Sequence, residues 1–208
     1  MNWFKKLNLQ KKLMCFVGIA IVFICIVGFV GYHFTKEGAA NTAAVYNEKL
    51  LPIKWINENR THLRANEANL VWLILEKNPV KQQAYLDDIK RRGEGFNKNI
   101  ENYKKLKLSE EENQYLEKLD YQLEQYRNVR EKIIALAQRG QSQKAYEYFI
   151  NNKSAFNASA DALIKLADYN DNTAKQINEQ VARNASNAAW FIFFTIVLAV
   201  VAAVWLGR

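Results

Sequence analysis

The chain is poor in residues that make turns and in residues that make cross-links. Two prolines and eight glycines in 208 residues leave few reversals, which excludes a sandwich or barrel of many short strands and favours a few long helices. Cys15 and Cys25 are the only cysteines and share one apolar stretch near the N-terminus. No disulfide can therefore staple the rest of the chain, and no cysteine-based metal site is available there. His33 and His62 are isolated, without ligand partners at metal-binding spacing. No glycine-rich phosphate cradle opens a helix, and no nucleophile stands beside a base. The sequence thus implies neither an enzyme nor a cofactor.

Charge is absent from two long runs. Leu13 to Phe34 (LMCFVGIAIVFICIVGFVGYHF) contains no Asp, Glu, Lys or Arg, and roughly 22 residues at about 1.5 Å each cross a bilayer core of about 30 Å. A cleaved signal peptide has a shorter apolar region of about 7–15 residues, so a transmembrane helix over 13–34 is predicted. Ala188 to Leu206 is likewise uncharged and predicts a second span over 188–206, with Trp190 and Trp205 near its two ends where the headgroup layer favours them. Lys5, Lys6, Lys11 and Lys12 crowd the tail 1–12 without one acidic residue, which keeps that tail cytoplasmic and returns residues 207–208 to the same side. Setting those lysines and Arg208 aside, the remainder holds only about +3 of the formal +8. The basic balance is therefore a topology signal. Membrane lipid is the implied partner, and nucleic acid is not, because bases and acids interleave through a middle segment outside the cytoplasm.

Residues 35–187 form one domain's worth of chain, and their apolar positions recur at alternating steps of three and four. Leu86, Ile89, Phe96, Ile100 and Tyr103 fit one seam, and Leu116, Leu119, Leu123, Tyr126 and Ile133 fit the next. Asn78-Pro79 ends one helix, Ser109 with Glu112 spells a capping box, and Arg139-Gly140 is a C-terminal stop. Glu110 to Glu112 otherwise reads as a solvated, dipole-favoured face. Helices are placed at roughly 36–77, 80–106, 110–139 and 142–187. Short connections make neighbours antiparallel, so the fold class is all-α, an up-down-up-down four-helix bundle whose first and fourth helices continue into the spans. Gly38, Gly93 and Gly95 weaken this regularity, and Pro52 predicts a kink.

The seams are not purely apolar. Asn59, Arg60, Asn66 and Glu67 interrupt the first helix, and Asn152, Ser159, Asn170, Thr173, Gln180 and Asn184 interrupt the last. Such residues are expected where two bundles meet in a hydrated interface or where helices exchange packing. Arg60 and Arg64, four residues apart, project from one helix face and can grip a carboxylate bidentately. Ordinary ion pairs with Glu58, Glu67 or Glu76 are the alternative reading of the same cluster. Four Asn-x-Ser/Thr matches, at Asn59, Asn152, Asn157 and Asn184, are glycosylation acceptors only in a eukaryotic secretory pathway.

This layout, with LLPIKWINENRTHLRANEANLVWLILEKNP from Leu50 to Pro79 and RGQSQKAYEYFINNKSAFNASADALIKLADYN from Arg139 to Asn170, resembles the four-helix-bundle sensory domain of bacterial methyl-accepting chemotaxis proteins with its two transmembrane helices. The resemblance covers essentially the whole chain. It implies a homodimeric receptor in the bacterial plasma membrane with an extracytoplasmic sensory domain. The implied ligand is an amino acid, an organic acid or a ligand-loaded binding protein, and the signal crosses as a helix displacement. By the resemblance Arg60 and Arg64 are the ligand-binding positions, with Asn66 and Glu67 close by and Asn152, Lys153 and Ser154 on the last helix. The family's best-known amino-acid receptors carry a third arginine where this chain has Ala68 or Asn69, so ligand identity does not transfer. Kinase coupling is expected only through cytoplasmic regions that would follow Arg208. Similar input domains precede histidine kinases and nucleotide cyclases, and a membrane-anchored helical scaffold is the rival from another class.

Overall fold

A computed structural model describes residues 8–207; Lys5, Lys6 and Arg208, on which part of the topology expectation rests, lie outside the described residues. The elements in chain order are α1 (Leu9–Val45), a π-helical turn (Tyr46–Leu50), α2 (Leu51–Leu75), α3 (Pro79–Lys104), α4 (Glu110–Gln138), α5 (Ser142–Asn151) and α6 (Lys153–Gly207). Among the described residues there is no strand. The chain is all-α, as its periodicity requires. It divides into two compact units, one of residues 1–45 with 176–208 and one of residues 46–175.

In the first unit, α1 and α6 each carry a stretch long and apolar enough to cross a membrane. Their large side chains, such as Ile24, Phe29 and Leu198, face outward uncovered by protein. That exposure suits a hydrocarbon solvent and would be costly in water.

The second unit is the helical bundle. Ile56, Leu63 and Leu70 of α2, Ile89, Phe96 and Tyr103 of α3, Leu116, Leu123 and Ile133 of α4, Phe149 of α5, and Phe156 and Leu163 of α6 form one buried cluster. Both predicted seams supply it, each fully buried Leu or Ile adding about 1.5–3 kcal/mol. Tyr126 packs edge-on against Phe156, which meets Phe149 in the same way.

Helix ends follow local chemistry. Asn78 caps α3 by accepting from the Val80 and Lys81 amides, with Pro79 occupying the first turn where its missing N–H costs nothing. Ser109 and Glu112 form the capping box of α4, each side chain accepting the other's backbone N–H. After α4, Gly140 takes φ +70°, which favours glycine, and its amide and that of Gln141 close on Ala137 and Leu136.

Pro52 sits in the first turn of α2, directly after the π-helical turn, so the backbone irregularity expected at the proline falls at that turn. Three expectations change. The last bundle helix is interrupted at Asn152 (φ −113°, ψ 17°), because this side chain donates to the Tyr148 carbonyl at 2.8 Å and competes with the backbone ladder. Glu112 is no solvated face residue but 2% exposed. The polar seam residues Asn59, Ser159 and Asn170 are buried inside the bundle rather than held for a hydrated interface. Asn59 donates to the Phe96 carbonyl, Ser159 to the Gln122 carbonyl and Asn170 to the Tyr103 hydroxyl.

Candidate ligand-binding surfaces

The outward stripe of α2 carries the predicted arginines. Asn57, Thr61, Arg64 and Ala68 recur there at steps of three and four and are exposed. The same stripe runs on into Trp72 and Leu75, 56% and 61% exposed. Arg60 is half-buried beside it and donates to the Asn57 side chain at 3.0 Å. The carboxylates that could have neutralised the pair are engaged elsewhere: Glu58 with Lys54, Glu76 with Lys81 and Glu67 with Lys153. Among the described residues no ion pair joins either arginine to these carboxylates.

The other expected residues scatter. Glu67 and Lys153 meet at 3.6 Å, tying the start of α6 to α2. Asn152 serves the break between α5 and α6, and Ser154 is exposed. Asn66 turns away from the arginines into the interior, 2% exposed, and its carbonyl oxygen has no hydrogen-bond partner.

Asn66 lines a cavity of about 530 Å³ between α3 and α4, floored by α2. Along α3 one face runs Ile89, Gly93, Phe96, and along α4 the facing row runs Leu123, Tyr126, Arg130. Gly93 leaves a gap in the row: a β-carbon placed there would meet nothing nearer than Arg130 Nη1, at 3.9 Å. Arg130 lies 5.6 Å over the Tyr126 ring and donates through Nε and Nη2 to Glu131. The Tyr126 hydroxyl is buried beside Asn66 and Arg130 and donates to no acceptor. Burial pushes its phenol pKa up, against the neighbouring Arg130 and Asn66.

A third polar cluster sits where the chain enters the bundle. Lys49 of the π-helical turn donates to Glu112 Oε1 at 3.0 Å, Tyr103 donates to the same oxygen at 3.2 Å, and Asn170 donates to the Tyr103 hydroxyl at 2.7 Å. Burial opposes ionisation of Glu112, but the Ser109 amide and the Lys49 ammonium outweigh it and hold its carboxyl below the usual range. Burial, aided by the Glu112 charge, pushes the Tyr103 phenol well up.

Sequence reading missed the cavity and this cluster. Its one available signal for the cavity was Gly93 on the buried face of α3, recorded only as a helix weakness. For the cluster, the polar seam position Asn170 and the capping-box Glu112 were visible, but Lys49 lies outside any apolar periodicity and gave no signal.

In chain order, a helical bundle with buried polar residues lies between two stretches long and apolar enough to cross a membrane. The family described as a four helix bundle sensory module for signal transduction matches residues 6–185, and the chain belongs to it. No curated protein and no solved structure matches the chain. The family is one of signalling modules and not of enzymes.

Proposed function

We propose that the chain is the input segment of a transmembrane chemoreceptor, detecting a small ligand outside the cytoplasm and passing the signal inward by helix displacement. The observation that carries this reading is α6 itself. One helix, Lys153–Gly207, begins beside Glu67 of α2 and ends in the second apolar stretch, so a change in packing near Lys153 acts on the same helix that carries that stretch. A ligand shifts such an equilibrium only by its differential affinity for two packings, and interface helix shifts are about 1–2 Å.

The chain acts as a homodimer through the outward stripe of α2, since Trp72 and Leu75 leave an apolar patch at one end of it. Arg60 and Arg64, free of carboxylates on that stripe, attract an amino acid, an organic acid or an acidic face of a ligand-loaded binding protein. Both termini are cytoplasmic, by the lysine bias of residues 1–12.

The test is a thermal-shift screen of the full chain in lipid nanodiscs against amino acids and small carboxylates, repeated on Arg60→Ala and Arg64→Ala. A ligand at about 100 times its Kd adds roughly 2.7 kcal/mol to the native state. A shift lost in the arginine variants supports direct sensing on α2. No shift with any compound contradicts it and favours the scaffold reading.

A further inference from the structure

We infer that the cavity between α3 and α4 is a second ligand site, contained in one protomer, for a small carboxylate that bears a neighbouring N–H or O–H donor and an apolar body. Its existence rests on the cavity alone; only its role as an input rests on the sensory reading.

The cavity is built as small-molecule sites are. Its volume of about 530 Å³ falls in the range of ligand pockets, and such pockets pair an apolar lining with a few convergent polar groups. The floor is buried and apolar: Leu63, Ile89, Phe96 and Leu123 are all under a tenth exposed. The rim is exposed and charged, with Lys90 and Arg127 set among Asp87 and Glu94.

Three polar groups converge in this setting with capacity left over. Arg130 uses Nε and Nη2 on Glu131, while its Nη1 faces the gap at Gly93. The Tyr126 hydroxyl offers a donor with no acceptor. The Asn66 carbonyl oxygen offers an acceptor with no donor. Buried polar groups in folded proteins are almost always paired; Tyr126 and Asn66 are neighbours, yet the hydroxyl's proton and the Asn66 Oδ1 each lack a counterpart, and an occupant that donates to one and accepts from the other completes both.

The complementary chemistry is specific. A carboxylate accepts from Arg130 Nη1 and from the Tyr126 hydroxyl together, a charge-assisted pair. An amino or hydroxyl group on the adjacent carbon donates to Asn66 Oδ1. The apolar remainder lies on the floor against Phe96 and Leu63. Gly93 is what keeps the space open, because any larger side chain on that face of α3 would grow toward Arg130.

The site is separate from the arginine stripe. Asn66 and Leu63 are on the buried face of α2, whereas Arg64 is on the exposed one. A ligand here bridges α3, α4 and the inner face of α2 without a second copy of the chain.

The test is isothermal titration of the full chain in nanodiscs with four probes of one shape: L-phenylalanine, L-phenyllactate, 3-phenylpropionate, which lacks the donor, and phenethylamine, which lacks the carboxylate. The expected result is binding of the first two, at least fivefold weaker binding of 3-phenylpropionate and none of phenethylamine. Arg130→Gln and Gly93→Leu should each weaken the first two about tenfold or more, with Arg60→Ala unchanged. Tyr126→Phe separates a ligand group from a structural one. It should raise the melting temperature, because a buried hydroxyl without an acceptor is removed, and yet weaken binding. Unchanged affinity in Gly93→Leu and Arg130→Gln overturns the inference. So does loss confined to Arg60→Ala, which would place the ligand on the α2 stripe and leave the sensory reading intact, and so does failure of every carboxylate to bind at millimolar concentration.

Discussion

Lys49 and Glu112 are buried against each other, 63 residues apart in sequence, with Nζ 3.0 Å from Oε1 and side-chain exposures of 11% and 3%. Glu112 also closes the capping box of α4 and accepts from Tyr103, which in turn accepts from Asn170 of α6. One carboxylate thus joins the π-helical turn, α3, α4 and α6. The turn that presents Lys49 directly precedes Pro52, so a backbone irregularity and a buried charge fall at one place.

Removing one member of this pair leaves an uncompensated charge in the interior. Lys49→Met should cost about 3–5 kcal/mol of stability, whereas the double variant Lys49→Met with Glu112→Gln should recover at least half of that, because a missing pair is cheaper than a broken one. Glutamine keeps the capping-box function. Denaturant midpoints of the four chains in one double-mutant cycle check this; additive losses would show that the two residues do not interact.

Acid should act in two separate windows. His62 has a depressed pKa, chiefly from burial and then from Arg92, with Glu58 and Asp88 opposing. Its unfolded form takes a proton near pH 6.5 more readily than its folded form, so stability is full above that pH and falls as pH drops from 7 toward 5. Glu112 and Asp88 are also depressed, Glu112 by the Ser109 amide and Lys49 against its burial, Asp88 mainly by the Arg92 hydrogen bond. Their contributions are present above about pH 4.3 and are lost only as pH falls below it. Melting temperatures of His62→Gln should therefore flatten the first decline and leave the second.

Two glycines of α3 should respond oppositely to the same substitution. A β-carbon at Gly93 meets only Arg130 Nη1, at 3.9 Å, so Gly93→Ala should stabilise by about 0.5–1 kcal/mol through helix propensity. At Gly95 the new carbon would lie 3.1 Å from His62 Nε2, whose ring has an unpaired, buried Nδ1. Gly95→Ala should be neutral or destabilising, and thermal melts of the two variants against the parent decide it.

Most of the architecture was legible because it rests on local signals. The spans follow from missing charge, the caps from Ser109, Asn78 and Gly140, and the bundle from steps of three and four. The site was not legible to the same degree. Asn66 was singled out beside Arg64, but one is buried and the other exposed, since neighbours two apart on a helix face different ways. Glu112 looked solvated within a run of three glutamates, because only tertiary packing brings Lys49 over it. The Gly93 gap becomes a cavity only when α4 supplies Arg130 and Tyr126 opposite it.

Signalling by helix displacement requires that a ligand on the bundle shift α6 against α1. Gly38 and Ala185 line one small gap in the unit that holds the two apolar stretches. With Cys15 and Cys25 replaced by serine, a chain carrying Gly38→Cys and Ala185→Cys reports that packing through its disulfide formation rate in nanodiscs under mild oxidant. Saturating ligand should change this rate severalfold, and the change should vanish when the binding site is mutated. An identical rate with and without bound ligand would contradict transmission by helix displacement.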